Sequence, residues 1–365
     1  MVTGLEKKEV HIDYLDGLRG LAILLVLAGH FFGNYNVCQF GWTGVNLFFL
    51  LSGYLITGRL YDGEKTAAND YRYFRNFYGR RVLRIFPLYY GCLFVFFVIL
   101  PLVYSRYGFN FSGLYWDQWW YWAYLSNWNF YLHGYPDNIT LITFWSLAVE
   151  EQFYLFWPFI FHYAFGVGRV KIICFIWLLS VVLRMASRDP ALSYFSTLTA
   201  AEPLLLGALL CILEKQGRLG LIRRLVVPAL LLGLLDLVTV FILDDNFANW
   251  NPLLIRYGYT GIDLLLAGLL YGLLAGPWTS FWRKVFSAGW LCWLGRYSYG
   301  IYMFHFFILQ IFMAKVQSVW LGTGGHPILV YWVVRAAGTL LVLLCAFLSY
   351  RFYERPFLRL KKYFV

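Results

Sequence analysis

The sequence predicts an all-α, polytopic bundle of about ten membrane-spanning helices. Three observations carry this reading. Of 365 residues, 61% are apolar and only 13% charged, about half the charge of an ordinary soluble domain, and the mean hydropathy is +0.60. The apolar residues form long runs, not the short alternating strands of a membrane barrel. The basic residues also segregate between alternate loops, as they do in helical membrane proteins. The same composition excludes a soluble enzyme, a disordered chain and a nucleic-acid-binding domain, because no soluble surface could hide so much apolar area.

Runs of spanning length fall at roughly 16–34, 42–58, 86–105, 147–165, 170–187, 199–213, 226–243, 256–275, 291–315 and 329–350. They form one expected domain over 1–365, with no Ser/Gly/Pro-rich linker, no cleavable leader and no soluble domain after the last run. Placing the N-terminus in the cytoplasm puts 24 of the 30 basic residues on the inner side. Only Arg106, Arg188, Arg256 and Lys315 then fall in outer positions, and Arg184 and Arg335 lie within helices. Both termini are therefore expected inside, in a cell (inner) membrane, and the net charge of +11 needs no nucleic acid partner. The six cysteines are scattered without metal or disulfide spacing, so no metal site is expected.

Residues 113–131, GLYWDQWWYWAYLSNWNFY, fit no span without inverting the charge bias downstream. They are expected as an outer-face or re-entrant segment buried against protein. Trp116, Trp119, Trp120, Trp122 and Trp128 read either as an interfacial aromatic belt or as a platform on which sugar rings stack.

Ionisable groups inside apolar helices are expensive and become functional candidates by default. The first run carries Arg19 and His30, eleven residues apart, which is three turns plus about 20° and about 16 Å along the axis. They share a face, with Arg19 near the inner boundary and His30 deep. Snorkelling would explain Arg19 alone, and a hydrogen-bonded core histidine would explain His30 alone. Asp16, one turn earlier, can pair with Arg19. Gly44, Ser52 and Gly53 in the second run either allow close helix packing or line a passage. Arg80, Arg81 and Arg84 read as loop charges or as a phosphate site. In TFWSLAVEEQFYLFWP, Glu150 and Glu151 are adjacent carboxylates one turn into an apolar helix. The helix dipole explains one of them, and the second is free to orient an imidazole or a hydroxyl. Ser298, Tyr302 and His305 share a helix face, as a polar ladder between helices or as part of a site.

Six segments in order, YLDGLRGLAILLVLAGH, GVNLFFLLSGYLIT, FYGRRVLRIFPLYY, FWSLAVEEQFYLFWP, SYGIYMFH and ERPFLRLK, cover residues 14 to 361. Together they resemble the acyltransferase-3 family of integral membrane acyltransferases. The resemblance implies transfer of an acyl group, usually acetyl, from cytoplasmic acyl-CoA to a hydroxyl of a cell-surface glycan or glycolipid. Some relatives act on small molecules such as macrolides. It implies His30, Arg19, Glu150 and Glu151 as catalytic, and Arg80, Arg81, Arg84, Ser52 and Gly53 as donor-binding. Asp16, Trp145, Ser146, Ser298, Tyr302 and His305 are implied as acceptor-side or supporting. Acyl-CoA is then a donor substrate, with no permanently bound cofactor. Two departures stand out: Asn46 replaces an aspartate common in the family, and the chain is expected to lack the extracytoplasmic SGNH-type domain fused to some relatives. No GxSxG elbow is present, so direct transfer with His30 as general base is the simplest chemistry, although an acyl-histidine remains open. The alternative class is a proton-coupled transporter or flippase, which the lack of an internal repeat weakens.

Overall fold

A computed structural model describes residues 12–364 apart from 33–35, 105–111, 135–138, 165–166, 188, 245–250, 276–278, 323 and 325. Arg106 and Arg188 lie outside the described residues, as do the side chains of Trp116 and Lys315.

Ten principal helices follow the ten apolar runs. They are α1 (Asp13–Phe32), α2 (Thr43–Thr66), α3 (Asp70–Phe94), α4 (Phe144–Tyr163), α5 (Val167–Ala186), α6 (Glu202–Lys215), α7 (Leu219–Asp244), α8 (Tyr259–Ala275), α9 (Gly289–Phe307) and α10 (Pro327–Ser349). Seven helical stretches, those containing α1, α2, α3, α6, α7, α8 and α10, are long and apolar enough to cross a membrane by length and composition. The other three, α4, α5 and α9, hold 20, 20 and 19 residues but carry the polar groups Glu150, Glu151, Arg169, Lys171, Arg184, Arg296 and His305. The chain is a multi-pass helical bundle.

Packing follows small residues. A Cβ on Gly53 would lie 1.9 Å from the Leu204 carbonyl oxygen, and one on Gly207 1.9 Å from that of Leu50. Only glycine lets α2 and α6 approach so closely. The pair α1 and α9 packs in the same manner, through Gly20 and Gly295, while Gly17 faces the Phe286 carbonyl of the short helix Thr279–Phe286. In contrast, α7 turns Leu221, Leu225, Leu231, Leu232 and Leu235 outward, as a lipid-facing helix must.

Polar contacts gather helix ends at one end of the bundle. There Lys215 reaches Asp62 at 2.7 Å, Arg169 bonds Glu64, and His162 lies 3.3 Å from Asp70. This is the end that the charge bias assigns to the cytoplasm. At the opposite end Trp42 stacks on Tyr259 at 4.5 Å.

The Trp-rich segment does not span. It forms two short helices, Ser112–Trp122 and Ser126–His133, joined through Tyr124, whose φ of 55° is rare for a residue with a Cβ. The Tyr124 ring stacks on Tyr89 at 4.0 Å. Trp119 is exposed, but Trp122 stacks on Tyr90 and Trp128 donates to Gln152 at 3.1 Å. Two of the four indoles whose side chains are described are therefore committed to packing, which leaves Trp119 and Trp120, stacked at 3.9 Å, for the platform reading.

Candidate active site

A cavity of about 710 Å³ opens among α1, α2, α3, α4 and α9. One side is basic, with Arg19 from α1 and Arg81 and Arg84 from α3. Residues 81 and 84 are three apart, so one helix face presents both guanidinium groups. The wall of α4 contributes Ser146, Glu150 and Tyr154 at i, i+4 and i+8, a polar ladder about 12 Å long. Ser52 of α2 and Ser298 and Tyr302 of α9 complete it.

Glu150 is held from both sides. Its Oε1 accepts from the Ser52 hydroxyl and from the Tyr154 hydroxyl, the latter at 2.9 Å. Arg81 lies over the Tyr154 ring, 5.6 Å from its centre. Asp16 stands 3.8 Å from the Arg19 guanidinium, the i,i+3 pair expected from the sequence. At the far end of the ladder the Ser146 and Tyr302 hydroxyls meet at 2.5 Å.

His30 does not line this cavity. It joins the cavity through α9: its ring lies 4.9 Å from His305, which lies 5.3 Å from the Tyr302 ring. Both imidazoles face helix carbonyls through Nδ1, His30 that of Val26 at 3.0 Å and His305 that of Tyr302 at 2.6 Å. A carbonyl can only accept, so each Nδ1 carries the proton and each neutral ring keeps Nε2 as an acceptor. The buried Nε2 of His305 has no hydrogen-bond partner among the described residues.

Four further expected site residues, Arg80, Gly53, Glu151 and Trp145, lie outside this cavity. Arg80 turns from the cavity, and its Nε donates to the Phe364 carbonyl at 2.6 Å. Gly53 faces Leu204 in the helix interface, so its role is packing and not passage; Gly44 likewise abuts Ala22 of α1. Glu151 points away from Glu150, with its Oε1 buried and unpartnered among the described residues, because adjacent helical residues diverge by about 100°. Trp145 borders a second cavity, next to the first.

Sequence reasoning passed over a buried polar cluster at the Trp42 end. Arg184 donates to Glu202 at 2.6 Å, to the carbonyl of Arg256 at 2.7 Å, and to Thr260. The π-helical turn Leu254–Gly258 presents the carbonyls of Ile255 and Arg256 to it. Asp263 accepts from Asn46 at 2.7 Å. The rule that flagged His30 applies equally to Asp263 in TGIDLLLAGLL. Arg335, another intramembrane charge, is structural: it donates to the last carbonyls of α1 at Phe31, 2.7 Å, and to Gln317.

A family pattern described as an acyltransferase domain, of the acyltransferase-3 type, matches residues 12–351. The chain is 32% identical to YrhL of Bacillus subtilis (strain 168), provisionally named a peptidoglycan O-acetyltransferase, across 95% of this chain and 55% of that protein. It is 30% identical to the peptidoglycan O-acetyltransferase OatA of Listeria monocytogenes, across 95% and 56%. A Staphylococcus aureus (strain COL) protein provisionally named an O-acetyltransferase is 28% identical, across 96% and 58%. The chain thus spans little more than half the length of these relatives. No solved structure gives a significant match.

Proposed function

The chain belongs to the acyltransferase-3 family, and from that premise we propose that it is a membrane-embedded O-acyltransferase. It moves an acyl group, acetyl by analogy with the relatives' names, from cytoplasmic acyl-CoA to a hydroxyl of a glycan at the opposite face. The single observation that carries this reading is the first cavity. It joins three guanidinium groups at one side to the Ser146 and Tyr302 hydroxyls at the other, behind which lie the His305 and His30 rings, which matches a ligand with phosphates at one end and a thioester at the other.

In this reading Arg81, Arg84 and Arg19 hold the CoA phosphates, because guanidinium groups match phosphate oxygens in bidentate geometry. The pantetheine arm lies along Ser52, Ser298 and Glu150 and carries the thioester to Ser146 and Tyr302. The acceptor oxygen attacks the thioester carbonyl while its proton passes to His30 Nε2. The two hydroxyls of Ser146 and Tyr302 donate to the developing oxyanion. Collapse breaks the C–S bond, and the CoA sulfur takes the proton.

The test is purified protein with acyl-CoA and a glycan acceptor, following free thiol and acylated product. Thiol release coupled to acylated glycan supports the reading. Absence of both, with movement of an unmodified solute or lipid across vesicles, would favour a transporter.

A further inference from the structure

A second, smaller cavity lies at the Trp42 end of the bundle, beside the first. Its walls include the rings of Trp145, Tyr194 and Tyr259, with Trp145 and Tyr194 4.7 Å apart and Tyr194 and Tyr259 6.1 Å apart. Its polar side holds Asn46, Glu202, Arg184 and Asp263, the last three no more than 2% exposed.

The two carboxyl groups differ in their partners. Glu202 takes both Nε and Nη2 of Arg184, at 2.6 and 3.2 Å, and the other guanidinium hydrogens go to Thr260 and to the carbonyls of Ile255 and Arg256. Among the described residues Asp263 has one hydrogen-bond partner, the Asn46 amide, whereas a carboxyl group can make several hydrogen bonds. Asp263 lines the same cavity as the aromatic rings. Burying a carboxyl with so few partners is costly, and a ligand that brings several hydroxyl donors on an apolar ring removes that cost.

The two cavities are neighbours. Phe49 lines both, and the consecutive residues Trp145 and Ser146 each line one. The Phe49 and Trp145 rings meet edge to face at 6.2 Å.

Resting on the acyltransferase reading, we infer that the second cavity is the acceptor subsite. It holds one saccharide ring, with Asp263 and Asn46 bonding its hydroxyls and Trp145, Tyr194 and Tyr259 packing on its apolar faces. Phe49 is the partition across which the acceptor hydroxyl meets the thioester. The Arg184–Glu202 pair braces the site and does not touch the sugar.

The experiment uses the full chain in nanodiscs with a soluble N-acetylglucosamine oligomer, followed by quenching of tryptophan fluorescence, and with CoA binding followed separately. The wild type is expected to bind the oligomer saturably. Asp263→Leu and Tyr194→Leu should each weaken it at least tenfold, and the isosteric Asp263→Asn less. All three should bind CoA as the wild type does, which reports an intact fold. Wild-type affinity in Asp263→Leu, no saturable binding by the wild type, or Asp263-dependent binding of a simple alkylammonium in place of the sugar would each overturn the assignment. If the sugar binds in an Asp263-dependent way but acyl-CoA is never consumed, the subsite stands and the acyltransferase reading falls. If acyl transfer proceeds while Asp263→Leu binds the sugar unchanged, the reverse holds.

Discussion

At the scale of single residues the account turns on which groups share a face. His30 and His305 each present Nε2, and only His30 is assigned as the base. His30→Ala should lower transfer by about 10²–10⁴-fold, the usual contribution of a positioned general base, with CoA affinity unchanged. Equal loss of CoA binding would show instead that His30 supports the fold of the donor cavity. The arginines make a sharper contrast. Arg81→Gln with Arg84→Gln should weaken CoA binding by about tenfold or more, since a hydrogen bond to a charged group contributes about 1.5–3 kcal/mol. The residual binding should respond less to salt. Arg80→Gln should leave CoA affinity within about twofold, because its Nε is bonded to Phe364. The sequence shows three arginines within five residues, and periodicity does not separate them, since 84 is one turn from both 80 and 81; the Phe364 contact does. Periodicity does separate the adjacent glutamates, which diverge by about 100°. Glu150→Gln should reduce turnover through the loosened Ser52 and Tyr154 contacts, and Glu151→Gln should act on stability, read as a shift in thermal unfolding at retained turnover.

At the scale of helices, close approach fixes the frame around the site. Gly53→Leu places a side chain where the Leu204 backbone already lies. It should lower the unfolding temperature in detergent, consistent with the roughly 1–3 kcal/mol of an overpacked core. An unshifted melting curve would remove Gly53 from the α2–α6 interface. Helix existence was legible because runs of twenty apolar residues in membrane have few alternatives. The face of each helix was legible where polar residues recur at three or four, as for Arg19 with Asp16 and Ser298 with Tyr302 and His305. It was not legible for Gly44 and Gly53, since a small residue serves a packed interface and a passage equally well from sequence. The Arg184–Glu202 brace was hidden for another reason. Its partners lie on α5, α6 and a π-helical turn before α8, and no local spacing links them. Arg184→Met should destabilise strongly, on the order of 3–5 kcal/mol, because it leaves Glu202 buried and unpaired. Arg184→Met combined with Glu202→Leu should recover part of that loss.

At the scale of the whole molecule, the two cavities lie side by side where they share Phe49 and the neighbours Trp145 and Ser146, and the first continues along α4 to Tyr154 and to Arg19, Arg81 and Arg84. This arrangement explains why intramembrane charges are retained at all: each either grips a ligand or braces the helices that do. In the proposed reaction the donor and acceptor reach one reaction centre from opposite faces, and CoA does not cross. Vesicles reconstituted in one orientation test this most directly, with acetyl-labelled acyl-CoA supplied only at the Arg81–Arg84 face and a glycan acceptor only at the Trp42 face. The account predicts labelled glycan on the acceptor side, free CoA thiol on the donor side, and loss of both in His30→Ala. Free CoA on the acceptor side, or labelled glycan undiminished in His30→Ala, would contradict it.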